Sequence, residues 1–419
     1  MIHSIPESFT KKQYGEFEQM RRFLPILLLA LAFCSVSPLS GAPVQVIKTV
    51  RDNPTLYAGE ISGPPAFVNA LRSYLGACGW FDLTGTPRAD YVLKGSTSGS
   101  RMTLTIELGG VPTGTWNIAF DREPPRVLAA KTADAIIEKC FKALKVRGFC
   151  RSRIVFCAAT APGVRNLYAC DIDGGNVEQL TNYNTFCVEP AWSSTGRSVI
   201  FSKYNKAGID VVETTIAKPR RSRILCGFRG INTGAAPSPD GKKLAVILSP
   251  DHKVDLYVIT FGNRIPRRLT RGIAVEASPA WSPDGSRIVY VSDESGRPLL
   301  YIINGDGTGR QRLPALGTDA VTPDWSADDK IVYATRINGS YTIAVLDLKT
   351  GKNTRATEVP GNYESPTWAA DNRQIVCKRS SGRQSELCVI DTWTGKVRRL
   401  LSTSYPLSMP VWSPCPVRQ

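Results

Sequence analysis

The sequence Pro279-Ala-Trp-Ser-Pro-Asp-Gly285 recurs in variant form along the second half of the chain and decides the fold. Aligned on the tryptophan position, six copies fall at residues 192, 237, 281, 325, 368 and 412, spaced by 43 to 45 residues. Six copies at a nearly constant period indicate a repeat architecture.

Each repeat has the same internal order of predicted strands. The tryptophan strand is followed by a Ser-Pro-Asp-Gly type of turn, in which proline presets φ and glycine accepts a positive φ. A β-branched strand such as Arg287–Tyr290 comes next, then a third such as Leu299–Ile303, and then a short fourth strand such as Arg268–Thr270. Four strands in about 44 residues is the period of a β-propeller blade, which must stack on neighbours to bury both of its faces.

The two ends of the repeat are each incomplete. The segment Arg153–Cys157 resembles the second strand of a blade but has no tryptophan strand before it, and the tryptophan strand at 409–413 has no second strand after it. We therefore expect residues 409–413 to pair with 153–157, which closes a six-bladed ring and removes two free edges.

Residues 43–150 lack the repeat and predict a small mixed α/β domain, so the fold class is α+β with two domains. Helices are expected after Pro64-Pro65 and after Pro124-Pro125. Their apolar faces comprise Phe67, Val68, Leu71, Leu75 and Cys78 in the first, and Leu128, Ile136, Cys140 and Leu144 in the second. Strands are predicted at 44–50, 91–95, 102–108 and 115–120. The propeller occupies 151–419, and the short link predicts that the two domains touch.

The first 42 residues are typical of an export signal. Met20-Arg21-Arg22 precedes an apolar run from Phe23 to Val36, and small residues follow up to Ala42. A charged start, a short apolar core and a small-residue end predict a secretory signal peptide, with translation starting at Met20. Export implies an oxidising compartment.

Ten cysteines remain after Cys34, and none lies in a Cys-x-x-Cys motif. Cys377 and Cys388 are expected near each other on adjacent strands, as are Cys157 and Cys170. Small buried hydrophobic residues are the alternative interpretation of all of them, and connectivity does not follow from the sequence.

Composition restricts the chemistry. The chain of 419 residues carries a formal net charge of +16 and only two histidines, His3 and His252. No Gly-x-Ser-x-Gly motif and no phosphate-binding loop occur, and carboxylates such as Asp240 and Asp284 sit where turns form. His252 is expected in a solvated hairpin loop. We predict no catalytic residues, no metal site and no cofactor.

The chain resembles the TolB family of periplasmic propeller proteins of the Tol–Pal envelope system. The resemblance rests on the signal peptide, the six repeats, and four segments before or at the start of the propeller: Leu75–Leu83, Asp90–Gly95, Ala133–Lys139 and Arg151–Val155. It implies a scaffold in the periplasm, without enzymatic activity, that maintains outer-membrane integrity and constriction during cell division. Its partners would be the lipoprotein Pal, bound by the propeller, and TolA with other inner-membrane Tol proteins, reached by the N-terminal segment.

The resemblance also implies where those partners bind. Pal would dock on the loops that lead into the tryptophan strands, where loops of the second and third repeats match Ile231, Asn232, Thr233, Gly234, Glu276 and Ala277. Glu189 and Glu364 are added because each lies just before the proline of its repeat. TolA would bind Val44, Gln45, Val46, Ile47 and Lys48, which alternate as suits strand addition. A fixed edge strand is the alternative for that segment.

The positive charge has a pattern of its own. Residues 151–419 hold 35 basic and 24 acidic residues, and arginines recur at one position of the fourth strands, at 223, 268, 312, 355 and 399. This predicts a ring of arginines on the rim. Such a ring either protects the edges from pairing or contacts an anionic envelope surface. Nucleic acid is not expected as a partner, because the chain is exported and these strands lack interleaved aromatic residues.

A second class of function is compatible with the same repeats. Secreted propellers include enzymes and ligand-binding proteins that use the central channel, and Trp-Ser-Pro-Asp-Gly repeats do not distinguish them from a scaffold. Turnover of a glycan or peptide would favour this alternative, and capture of an exported lipoprotein would favour the scaffold.

Overall fold

The computed structural model describes residues 52–382 and 384–414. The predicted signal region 1–42, the predicted strand 44–50 and the last five residues lie outside that part of the chain. Within it, no helix has both the length and the apolar character needed to span a bilayer. All described residues belong to one compact unit, so the division into domains at residue 150 stays a prediction.

A five-stranded sheet with two helices forms the first part of the described chain. The sheet order is β2-β1-β3-β4-β5, with bounds β1 (Thr55–Ile61), β2 (Asp82–Thr84), β3 (Tyr91–Ser98), β4 (Arg101–Leu108) and β5 (Val111–Ala119). Helices α1 (Pro65–Ala77) and α2 (Pro125–Cys140) both begin at a proline, since the first turn leaves that N–H unpaired anyway. The predicted helices and β3, β4 and β5 are confirmed, whereas β1 and β2 were not predicted.

One predicted core residue of this part is misplaced. Leu144 does not continue the apolar face of α2, because the helix ends at Cys140 and a 3-10 turn follows at Lys142–Leu144. Leu144 is 47% exposed. Phe141 stacks on Trp80 and Phe81, with ring centroids 4.9 and 5.1 Å away, and the chain leaves the helical path there.

Six four-stranded sheets form the propeller. Each sheet is antiparallel, and in each the tryptophan strand is first and the next three follow outward, as the repeat predicts. Blade 1 comprises β9 (Cys187–Trp192), β10 (Ser198–Asn205), β11 (Gly208–Thr215) and β12 (Ser222–Cys226). Blade 2 comprises β13 (Asn232–Pro237), β14 (Lys243–Leu248), β15 (Asp255–Thr260) and β16 (Asn263–Arg268). Blade 3 comprises β17 (Glu276–Trp281), β18 (Arg287–Ser292), β19 (Leu299–Asn304) and β20 (Gln311–Arg312).

Blades 4 and 5 repeat this order, and blade 6 combines the two ends of the propeller. Blade 4 comprises β21 (Ala320–Trp325), β22 (Lys330–Ile337), β23 (Ser340–Asp347) and β24 (Asn353–Arg355). Blade 5 comprises β25 (Asn362–Trp368), β26 (Gln374–Ser381), β27 (Gln384–Asp391) and β28 (Val397–Ser402). Blade 6 comprises β29 (Leu407–Trp412), β6 (Arg153–Ala161), β7 (Val164–Asp171) and β8 (Glu178–Gln179).

Closure of the ring by the C-terminal strand is confirmed. Strand β29 pairs antiparallel with β6, with Trp412 opposite Ile154 and Leu407 opposite Ala158. The Trp412 indole N–H donates to the Ser152 hydroxyl at 2.7 Å. The innermost strand of blade 6 is therefore supplied from the opposite end of the chain.

Two of the repeat tryptophans bind consecutive blades together. The Trp192 indole donates to the Val411 carbonyl of blade 6 at 3.0 Å, and the Trp281 indole donates to the Ala236 carbonyl of blade 2 at 2.9 Å. In the turn after Trp281, Asp284 accepts from the Ser282 hydroxyl at 2.5 Å and from the Ser286 N–H at 3.0 Å, and these hydrogen bonds lower its pKa to about 2. The predicted role of Asp284 as a turn-forming residue is consistent with these contacts.

The ring has two distinct ends. The loop face comprises the segments that lead into the innermost strands, at 180–186, 227–231, 269–275, 313–319, 356–361 and 403–406. The turn face comprises the turns between first and second strands at 193–197, 238–242, 282–286, 326–329 and 369–373, and the turns between third and fourth strands.

The α/β part packs on the turn face of blades 5 and 6, mainly through a buried arginine. Arg373 is 2% exposed, and its guanidinium donates to Asp391 at 3.0 Å and to the Asn53 side chain at 2.6 Å. The same guanidinium contacts both the Trp80 and the Trp393 ring, 4.7 and 4.5 Å from their centroids. The buried charge is thus paired, hydrogen-bonded and stacked.

The propeller also caps helix α1. Carbonyls at a helix C-terminus lack partners within the helix and attract positive charge. Arg398 donates to the Ala77 carbonyl at 3.2 Å, and the Gln374 amide donates to the Cys78 carbonyl at 2.6 Å. One apolar core runs through both parts, from Phe67 in α1 to Trp412 in β29. The predicted contact between the two parts is therefore present.

The first prediction concerns the closing strand. Deleting residues 409–419 removes most of β29, exposes the edge of β6 and removes the contact of Trp412 with Ser152. We expect loss of cooperative thermal unfolding, measured by circular dichroism, and aggregation on size-exclusion chromatography. Deleting only 415–419, which follow β29, is the control and should leave the transition in place. An unchanged transition in the longer deletion would contradict closure.

The second prediction concerns the interface with the α/β part. Arg373→Leu leaves Asp391 buried without its cation, a change that typically costs about 3–5 kcal/mol. Lys396→Met is the matched control, because Lys396 pairs with Asp82 at 3.0 Å across the same interface but is mostly exposed, and such pairs contribute about 0–1 kcal/mol. Urea unfolding should separate the two variants; equal midpoints would disprove a stabilising role of Arg373.

Candidate interaction surface

A left-handed residue occurs at the same position in the innermost strand of every blade. The six residues have φ between 47 and 58° and are Glu189, Gly234, Ser278, Thr322, Ser365 and Met409. At each of them the pairing register with the second strand shifts, which marks a β-bulge. A non-glycine residue in this conformation costs on the order of 1–3 kcal/mol, and such strain clusters at functional sites.

This ring of bulges was missed by sequence reasoning. The available signal was the residue directly before the proline in five of the six copies, none of which is glycine; in the second copy Gly234 precedes Ala235 instead. Sequence reasoning selected Glu189 on that ground, but it did not select the equivalent Ser278, Thr322, Ser365 or Met409.

The bulges line a central channel with a cavity of about 380 Å³. Its other lining residues are mostly prolines, alanines and tryptophans of the repeats. Asp324 is a carboxylate in this lining; it accepts from the Trp368 N–H at 2.7 Å, and burial raises its pKa to about 6. His252 lies in the exposed hairpin loop between β14 and β15. Among the described residues, no group of three or more histidine, cysteine or acidic side chains is arranged to hold a metal ion.

Three of the predicted Pal-contact residues bind one another at the junction of blades 1 and 2. Glu189 accepts from the Ser202 hydroxyl at 2.9 Å, from the Gly234 N–H at 3.0 Å and from the Thr233 hydroxyl. This cluster joins neighbouring blades at the channel mouth. The Glu189 carboxylate is therefore already hydrogen-bonded within the ring.

Two further predicted contact residues are buried. Asn232 is fully buried and exchanges hydrogen bonds with the backbone of Phe228 at 2.7 and 3.0 Å, which fixes the loop before β13. Glu276 is 3% exposed, and burial raises its pKa to about 7; its nearest cation is Arg310, at 3.8 Å. A partner could reach either side chain only if the loops moved. Their contact with Pal remains a prediction.

The remaining predicted residues differ in exposure. Glu364 is half-buried and pairs with Lys378 at 2.6 Å, and Ala277 is also half-buried. Ile231 is the most exposed of the eight, at 36%. Ile231 lies in the loop before β13, whereas the other seven predicted residues lie within the first three residues of innermost strands.

The loop face carries exposed apolar residues that sequence reasoning did not select. On the loops of blades 1 to 3 they form a set that we call the apolar arc: Phe186, Phe228, Ile231, Ile273 and Val275. Ile273 is fully exposed. Exposed apolar side chains grouped on one face of a protein typically mark an interaction site. Their signal in the sequence was a pair of apolar residues close together in the loop before β13, Phe228 and Ile231, and another in the loop before β17, Ile273 and Val275.

The rim arginines lie on outermost strands, as predicted, but several are already paired. Arg223 binds Glu213 at 2.7 Å, Arg268 binds Asp251 and Asp255, and Arg355 binds Glu358. Arg312 and Arg399 are exposed. Part of the charge of the ring is thus neutralised by neighbouring carboxylates.

The predicted TolA-binding residues, Val44 to Lys48, precede the described chain. Asn53 marks where that chain begins to pack: its amide donates to Asp82 at 3.1 Å and its oxygen accepts from Arg373. Asn53, at the start of the described chain, therefore lies on the turn-face side of the ring.

Comparison with known proteins agrees with this architecture. A family model described as the TolB β-propeller domain matches residues 141–416. The chain is 28% identical over 256 residues to the Tol-Pal system protein TolB of Francisella tularensis, covering 58% of this chain and 57% of that protein. It is 30% identical over 161 residues to the TolB homologue of Chlorobium luteolum, covering 38% of this chain and 36% of that protein. The chain thus spans about half the length, or less, of these relatives.

Solved structures show the same fold. TolB from Acinetobacter baumannii superposes with a TM-score of 0.77 at 18% identity, covering 87% of this chain and 97% of that one. A hydrazine synthase from Kuenenia stuttgartiensis superposes with a TM-score of 0.54 at 13% identity over 65% of this chain, so the propeller alone does not specify a function. Because the family model covers the whole propeller, the chain belongs to the TolB β-propeller family.

Proposed function

We propose that the chain is a non-enzymatic scaffold of the Tol–Pal system in the periplasm. It would bind the lipoprotein Pal through the loop face and TolA through the N-terminal segment, and so support outer-membrane integrity and constriction at division. One observation carries the proposal: the α/β part occupies the turn face, while the loop face carries the apolar arc. Membership of the TolB family supports it.

The chemistry of the loop face favours a protein partner. Exposed apolar and aromatic side chains next to a shallow central opening are typical anchors in protein interfaces. The bulges and the Glu189 cluster hold these loops in fixed positions, which reduces the ordering cost of binding. A lipoprotein that presents an apolar surface fits this arrangement.

The two partner sites would lie at opposite ends of the ring. Asn53, at the start of the described chain, lies beside the turn face. TolA would therefore bind near that end of the ring, and Pal would dock on the loop face. A scaffold that connects two membranes benefits from this separation, because neither partner obstructs the other. The exposed Arg312 and Arg399 would add a weak attraction to an anionic envelope surface.

The alternative is a secreted enzyme or ligand-binding protein that uses the channel. The cavity and its carboxylate Asp324 favour this candidate. The described lining holds no histidine, lysine or cysteine, and its other carboxylate, Glu189, accepts hydrogen bonds from the Ser202 and Thr233 hydroxyls between blades 1 and 2. Turnover of candidate glycans or peptides that is lost in Asp324→Asn would support the alternative over the scaffold.

The third prediction tests the loop face. The double variant Ile231→Asp with Ile273→Asp places charge in the apolar arc and should weaken Pal binding about tenfold or more, measured by calorimetry. Ile273 is fully exposed and Ile231 is 36% exposed, so the variant should still unfold in one cooperative thermal transition, measured by circular dichroism. Ile231 and Ile273 are better sites for substitution than Gly234. Gly234 has a φ of 58° and lies close to Ile247 and Pro279, so any side chain placed there would be strained.

The matched control for this variant is Ile265→Asp. Ile265 is 77% exposed, on the outermost strand β16, away from the loop face. It should bind Pal like the unmodified protein. If the double variant binds normally, or if only Ile265→Asp loses binding, the assignment of Pal to the loop face is wrong.

The fourth prediction tests the N-terminal segment. Removing residues 43–50 should abolish capture of TolA while leaving the melting temperature unchanged, because β1 begins later, at Thr55. Val44→Ser with Val46→Ser should weaken capture, whereas Gln45→Ser should not, since strand addition reads alternate side chains. Capture of TolA by the shortened chain would disprove this role.

A further inference from the structure

Two cysteines face each other across the central strands of blade 5. Cys377 in β26 is directly opposite Cys388 in β27, and the two sulfur atoms are 3.4 Å apart. Both side chains are fully buried. Directly opposed residues on antiparallel strands have Cα atoms about 4.5–5.5 Å apart, within the range of disulfides.

From this juxtaposition we propose that Cys377 and Cys388 are joined by a disulfide bond in the exported protein. The inference rests on the proposed periplasmic location, because disulfides persist only in an oxidising compartment. The blade supplies the geometry and the compartment supplies the oxidant.

The other pair raised by the sequence does not meet the same condition. Cys157 is opposite Leu167, and Cys170 is opposite Ile154, so the two cysteines are out of register on β6 and β7. Their side chains also belong to different apolar clusters. Cys157 and Cys170 therefore serve as a control pair with similar burial.

The bond would form while blade 5 folds. Cys377 and Cys388 are only 11 positions apart and flank a hairpin, so they meet early. One thiolate attacks a disulfide of the oxidant, a thiol–disulfide exchange protein or glutathione disulfide, and forms a mixed disulfide. The second thiolate then attacks the bound cysteine sulfur and releases the oxidant as a thiol. Two protons leave the cysteines, and two electrons pass to the oxidant.

After folding, the pair is protected from exchange. Neither sulfur is accessible, and burial raises the pKa of the Cys377 thiol well above its ordinary value, which keeps a free thiol unreactive. The ends of the same strands hold Gln374 and Asp391, which bind Cys78 and Arg373 at the interface with the α/β part. The bond would therefore fix the hairpin on which that interface depends.

The test begins with protein isolated from the cell envelope, alkylated in denaturant without reductant and digested with trypsin. We expect one linked species that joins Gln374–Lys378 to Gln384–Lys396, two hydrogen atoms lighter than the separate peptides. A portion that is reduced in denaturant and refolded with glutathione disulfide should give the same species. If both cysteines are alkylated after that oxidative refolding, the proposal is overturned.

The two arms distinguish this proposal from the proposed location. If the bond forms on refolding but is absent from protein isolated from the cell, the proposal that it exists in the cell is overturned. That result would also count against export of the chain. Pal binding is tested separately by calorimetry. Melting supplies a second measurement: unmodified protein that is reduced in denaturant and refolded with reductant should melt several degrees lower than the oxidised protein. Cys377→Ala with Cys388→Ala should remove that response, and Cys157→Ala with Cys170→Ala should keep it.

Discussion

The pairing of β29 with β6 is the interaction on which the rest of the structure depends. A propeller blade has two apolar faces and can bury both only between two neighbours, so an open ring leaves two faces in water. Here the last strand of the chain completes the blade that begins at residue 153. The indole of Trp192 then reaches the Val411 carbonyl across the point of closure. Closure thus makes the stability of every blade depend on both ends of the propeller sequence.

A closed ring has two ends, and the α/β part makes them different. Arg373 is held by Asp391, by Asn53 and by two tryptophan rings, so the α/β part binds through a buried cation that would be costly to expose. Arg398 and Gln374 cap helix α1 from the propeller side. The described chain therefore begins beside the turn face, and the α/β part leaves the loop face uncovered.

The open face is shaped by backbone strain rather than by catalytic chemistry. Six left-handed residues bulge the innermost strands toward the channel, and Glu189 joins two blades at its mouth. These features hold the loops of blades 1 to 3 and leave their apolar residues exposed. A rigid ring of loops with exposed apolar side chains suits recognition of another protein, which agrees with membership of the TolB family.

The sequence by itself determined the number of blades, their strand order, the closing strand and the two proline-started helices. Each follows from local periodicity and turn chemistry, which are written in consecutive residues. It indicated the loop face but did not show which side chains are available there: Asn232 and Glu276 are buried, and Ile273 is exposed. Leu144 was wrongly predicted to be buried, because the end of α2 depends on the packing of Phe141 against residues distant in sequence. Strand β1 was not predicted, because Thr55–Ile61 pairs in parallel with strands that lie further along the chain. Exposure, the Arg373 interface and the register of Cys377 against Cys388 were decided only by the tertiary structure, since each depends on which distant strands the closed ring brings together.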